Sequence, residues 1–153
     1  MSAFKRSRLS ELGLELPAVA APLAAYVPAV RTGNLVFTSG QLPTVGGKLA
    51  ESGKVGTGVR PERAEELARI CVLNALAAVE ALVGLDSVVR VVKVVGYVAS
   101  SPGFSGQPAV VNGASELLGE LFGEAGAHAR SAVGVSELPL DAPVEVELVV
   151  EVE

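Results

Sequence analysis

The chain has 153 residues, half of them hydrophobic but only 4% aromatic, so valine, leucine and alanine must supply its core. That length suits one domain, and a net charge of −5 argues against nucleic acid, which rewards a basic field. One cysteine and one histidine exclude an internal disulfide and any metal framework built from such ligands.

Residues 1–25 carry no charged-then-apolar leader pattern, because Glu11, Glu15 and several prolines interrupt them. The basic cluster Lys5–Arg8 reads as a solvated arm, and Ser7–Leu12 as a short helix ended by Gly13. Tyr26–Arg31 and Leu35–Ser39 read as strands around the turn Thr32-Gly33-Asn34. Residues 43–60 are rich in glycine and read as loop, with a brief strand at Lys48–Ala50. Pro61 opens a helix that Gly84 stops, with Leu67, Ile70, Asn74, Ala77, Ala78 and Ala81 as a stripe of mostly small residues. Val88–Val98 is β-branched and continuous, the pattern of a central strand. It is also the strongest apolar run, but Arg90 and Lys93 break it well short of the roughly 18–20 residues of a membrane span. A second helix follows from Pro108 to about Gly123. Arg130–Glu137 and Val144–Val152 then alternate as strands, joined by the turn 138–143, and the expected reading is a hairpin. The order is β-β-α-β-α-β-β, an α+β domain whose two helices cover one face of a mixed sheet. Its other face is left to water or to another copy of the chain. The mean hydropathy of +0.48 favours association. A soluble cytoplasmic protein is expected.

No phosphate-binding loop, dinucleotide fingerprint or metal motif is present. His128 reads as a surface or strand-entry residue, and Cys71 as a packed thiol. Arg130 and Glu145 each begin the polar face of a strand. A guanidinium matches a carboxylate in two parallel hydrogen bonds, and a nearby glutamate could hold or activate water. The spacing alone equally allows a cross-strand ion pair on a solvated sheet.

The stretch Tyr26-Val-Pro-Ala-Val-Arg-Thr-Gly-Asn-Leu-Val-Phe-Thr-Ser-Gly-Gln-Leu-Pro43 resembles the N-terminal signature of the RidA/YjgF family. Asn74, Gly84-Leu85, Lys93–Val98 and Asn112 are similar to that family's helices and central strand. Arg130–Pro139 followed by Val144-Glu-Val-Glu147 resembles its closing signature. The resemblance spans roughly residues 24–152, which divides a single domain, residues 1–153, into an N-terminal arm (1–23) and a core (24–152).

The resemblance implies a chorismate-mutase-like fold assembled as a homotrimer, with clefts between subunits. It implies cofactor-free hydrolysis of small reactive enamine and imine acids to 2-keto acids and ammonia. In that site Arg130 would bind the substrate carboxylate and Glu145 would manage water or a proton. Tyr26, Ser39, Gly40 and Asn112 would line the pocket, and Asn74 would be structural. Ala132 departs from the cysteine that many active members carry, Ala25 from a usual Gly-Pro, and Gly46–Gly58 looks like an insertion of a long-form branch. Those departures leave three other readings: a carboxylate-sensing module, a ribonuclease or translation inhibitor, and pericyclic chemistry by fold analogy. The acidic charge speaks against the ribonuclease.

Overall fold

Valine runs and helix signals settle into ten regular elements in a computed structural model, which describes residues 4–22 and 24–153. Of the arm expected over residues 1–23, residues 1–3 and 23 lie outside the described residues. The elements are α1 (Phe4–Glu11), β1 (Ala29–Thr32), β2 (Leu35–Thr38), β3 (Thr44–Val45), β4 (Lys48–Leu49), α2 (Pro61–Val83), β5 (Val88–Ala99), α3 (Gln107–Phe122), β6 (Ala129–Val135) and β7 (Val144–Val152). Strands β1, β2, β7, β5 and β6 form one sheet in that order, and β3 and β4 form a separate small hairpin.

Strand β7 shows how sequence becomes layer. Val144, Val146, Leu148, Val150 and Val152 are buried, while the residues between them are only partly covered. The buried set faces α2 and α3, which lie side by side on this face of the sheet. Cys71 of α2 is fully buried there, with its Sγ 3.7 Å from the Val144 carbonyl oxygen, and burial pushes its thiol well above the ordinary range. Packing is the role its sequence position suggested. Because α2 is buried against both the sheet and α3, its covered residues extend through Ala64, Ala68, Val72 and Ala75, while Ala81 of the expected stripe is exposed. Helix α3 lies close on β5. A Cβ at Gly96 would come within 2.4 Å of Val111 Cγ2, so only glycine admits the helix at this depth.

Two expectations need correcting. Strands β6 and β7 do not form a hairpin: β5 lies between them, antiparallel to β7 and parallel to β6. The α3 crossover satisfies the long connection that a parallel pair requires. The basic cluster Lys5–Arg8 is also not freely solvated. Arg6 is ion-paired with Glu80, Arg8 pairs with Glu11 at 2.9 Å, and Lys5 donates to the Val88 and Asp86 carbonyls. Asn74 acts as the sequence suggested, its amide donating to the carbonyls of Leu42 (3.1 Å) and Thr44 (3.0 Å) to tie the β3–β4 region to α2.

The uncovered face carries Lys93, Val95 and Tyr97 of β5, Ser131 and Val133 of β6, and Glu145, Glu147 and Glu151 of β7. Apolar side chains stand exposed among them: Phe37 is 44% accessible, Val133 43% and Val30 52%.

Candidate functional site

Register decides where each expected site residue points. Arg130 pairs with the buried Val94, and Val94 with Leu148, so the arginine lies on the helix-covered face rather than on a polar one. Glu145 pairs with Tyr97, and Tyr97 with Val133, which puts Glu145 on the uncovered face. The sheet separates the two groups that the sequence reading had paired, and no Arg130–Glu145 ion pair exists among the described residues.

Arg130 sits on the edge strand β6 beneath α3. Its Nη1 donates to Asn112 Oδ1 (2.7 Å) and Ser115 Oγ (3.2 Å), and its Nη2 to the Pro108 carbonyl (3.3 Å). All three acceptors are neutral, and Arg130 pairs with no carboxylate among the described residues. A guanidinium has five donors. Three are used, which leaves the Nε proton and one on Nη2 without a partner among the described residues. A carboxylate bound in two parallel bonds needs two such donors. Asn112, expected to line the site, is brought directly to Arg130.

Tyr26, Ser39, Gly40 and Glu145 form a second group. Gly40 follows β2, and a Cβ there would meet Glu145 Oε2 at 2.0 Å, so the missing side chain is the space the carboxylate occupies. Burial pushes the Glu145 carboxyl above its ordinary value, and the like charge of Glu147 adds to this. Ser39 Oγ donates to the Val27 carbonyl at 2.6 Å, fastening the segment that carries Tyr26 to the end of β2. Tyr26 and Gly40 line a cavity of about 210 Å³ whose other walls include Pro28, Leu42 and Leu140.

Beside Glu145, the Tyr97 hydroxyl donates to Glu147 Oε1 at 2.5 Å. That bond holds the phenol proton and raises its pKa to about 12, with burial and the two glutamate charges adding to the effect. In an alkaline ultraviolet titration one of the two tyrosines should therefore ionise near 12, and Glu147→Gln should bring that transition down. The folded chain keeps this proton longer than the unfolded one. Any stability from the bond is thus complete below the ordinary tyrosine range and fades as pH rises through about 12.

Two residues at the site escaped the sequence reading. Ser115 lies three positions after Asn112, so helical spacing puts both on one face of α3. His128, set aside as a strand-entry residue, has its Nε2 2.9 Å from Ser115 Oγ and its Nδ1 2.6 Å from the Gly126 carbonyl.

Residues 6–152 match a family model described as YjgF/chorismate_mutase-like, a label that also carries an endoribonuclease assignment. Protein TCP17 of Trypanosoma cruzi is 45% identical over 149 residues, covering 95% of this chain and 92% of that protein. A 2-iminobutanoate/2-iminopropanoate deaminase of Dermatophagoides farinae is 32% identical over 140 residues, covering 92% of this chain and 95% of the relative. Among solved structures, the Agrobacterium tumefaciens protein Atu1372, described as of unknown function, superimposes with a TM-score of 0.91 at 44% identity. That alignment covers 99% of this chain and 94% of the other.

Proposed function

The chain belongs to the YjgF/chorismate-mutase-like family, and on that premise we propose that it hydrolyses small reactive 2-imino and enamine acids to 2-keto acids and ammonia. The observation that carries this reading is the Arg130 fork, held on one side by neutral acceptors and left with two donors for an anion. The deaminase name of the relative from Dermatophagoides farinae points to the same class of substrate.

In this reading Arg130 binds the substrate carboxylate with Asn112 beside it. Glu145 takes a proton from water as the oxygen adds to the imine carbon. The proton passes to nitrogen to give a carbinolamine; its hydroxyl then yields its proton through Glu145 to the amine as the C–N bond breaks, so that ammonia leaves a 2-keto acid. An imine is already electrophilic, so orientation and a held water supply what the reaction needs. The two residue groups lie on opposite faces of one sheet, and a complete cleft therefore needs two chains. We propose that the uncovered face of one subunit, with Glu145, Gly40, Ser39 and Tyr26, meets the β6–α3 edge of the next, with Arg130 and Asn112. A homotrimer closes that arrangement and covers the exposed Phe37, Val30 and Val133.

Carboxylate binding without turnover is the second reading, favoured by Ala132, a partly buried methyl packed on the core that offers no reactive group. RNA cleavage fits poorly. The chain is acidic, and its basic N-terminal cluster is engaged by Glu80, Glu11 and backbone carbonyls. Ammonia release from freshly generated 2-aminoacrylate, followed together with sedimentation at low micromolar concentration, tests the proposal. The expected result is a trimer that accelerates release. Binding of 2-oxobutyrate with only the spontaneous rate would favour the sensing module, and a monomer would sink the shared cleft.

A further inference from the structure

We propose that Ser115 and His128 are positioning residues that fix the guanidinium of Arg130 for carboxylate capture, a role that rests on the proposed carboxylate site. The inference comes from the direction of the hydrogen bonds. The Gly126 carbonyl can only accept, so His128 Nδ1, 2.6 Å away, carries the proton of the neutral ring. Nε2 then holds a lone pair, and the Ser115 hydroxyl at 2.9 Å must donate to it. With its proton committed, Ser115 Oγ offers only lone pairs to Arg130 Nη1 at 3.2 Å. The bonds therefore run one way, from Arg130 to Ser115 to His128 to the Gly126 carbonyl, and each polarises the next.

The far end of this chain is fixed by the fold. Gly126 is buried, and a Cβ there would come within 2.3 Å of the Leu118 carbonyl oxygen, so the turn before β6 backs directly onto α3. The near end is shared with Asn112 Oδ1, which accepts the second Nη1 proton at 2.7 Å. With both Nη1 protons and one Nη2 proton committed, rotation of the guanidinium would break three bonds, and the unused donors on Nε and Nη2 keep one direction. An arginine held in this way loses less freedom when it binds a carboxylate than a free one would.

His128 is the only histidine, so its ring nitrogens give unambiguous nuclear magnetic resonance signals. The neutral ring is expected as the Nδ1–H tautomer. Adding 2-oxobutyrate should shift the Nε2 signal in the unmutated protein and leave it still in Ser115→Ala. Ser115→Ala suits a helix interior, so the fold should persist while affinity for 2-oxobutyrate falls about ten-fold. Ser115→Thr, which restores the hydroxyl, should recover most of that loss. An Nε2–H tautomer would overturn the proposal. So would undiminished affinity in Ser115→Ala alongside lost affinity in Arg130→Ala, a result that leaves the carboxylate site standing. If the unmutated protein does not bind 2-oxobutyrate, the carboxylate reading falls and this role falls with it. Stoichiometric labelling of Ser115 by a fluorophosphonate would also refute it, by showing a free nucleophile.

Discussion

Replacing Arg130 by alanine should abolish binding of small carboxylates while leaving the chain folded. A charge-assisted bidentate pair is worth about 2–4 kcal/mol, so affinity for a keto-acid analogue, and turnover with it, should fall roughly thirty- to a thousand-fold. The fold should survive because Arg130 sits on the partly exposed edge strand β6 and pairs with no carboxylate among the described residues. Arg130→Lys should recover little. An ammonium has three donors in place of five, and Asn112, Ser115 and Pro108 stand ready to absorb them without leaving a planar fork. Calorimetry with 2-oxobutyrate and thermal unfolding of all three proteins make the check. An Arg130→Ala chain that unfolds but still binds the analogue would make the arginine a structural strand residue.

Glu145→Gln should separate chemistry from binding. Glutamine keeps the shape that fits against Gly40, so the analogue should still bind, while turnover should fall by the roughly 10²–10⁴-fold typical of losing acid–base assistance. The pH profile gives a second readout. A base works only when ionised, and burial together with Glu147 holds this carboxyl above its ordinary value of 4.5. The acidic limb of the rate profile should therefore lie above 4.5 and vanish in the variant. The stability effect has a definite sign. The folded chain holds this proton more tightly than the unfolded one, so this group's contribution falls as pH rises through the window between the ordinary and the raised value. Unchanged turnover with intact binding would clear Glu145 of any catalytic part.

Strand β7 was readable residue by residue, because a period of two with valine on one face and glutamate on the other has only one placement on a half-covered sheet. Helix α2 was equally legible from Pro61 and Gly84. The pairing of β6 was not. A proline-bearing turn of six residues between two strands has the look of a hairpin, but local pattern carries no information about which strand lies alongside which. Strand β5, with Val88, Val91, Val94 and Val98 buried, took the place between them. That one misreading carried the expected site geometry with it: Arg130 was set on the polar face beside Glu145, whereas it lies on the helix-covered face, against Asn112. Ser115 was missed because a serine within a helix carries no signal until the partner on a later strand is known. His128 was passed over for the same reason.

The separation of Arg130 from Glu145 by a single sheet also has a genetic consequence. In the proposed trimer each cleft draws its arginine from one chain and its glutamate from another, so the two lesions are not equivalent copies of one defect. A cell carrying an Arg130→Ala allele and a Glu145→Gln allele, each dead alone, would build some clefts in which both residues are intact. Random mixing into trimers repairs roughly a quarter of them. The alleles should complement one another, whereas two alleles both lacking the arginine should not. A site built wholly within one chain could never show that behaviour, so coexpression of the pair asks of a living population what the sheet asks of a single molecule.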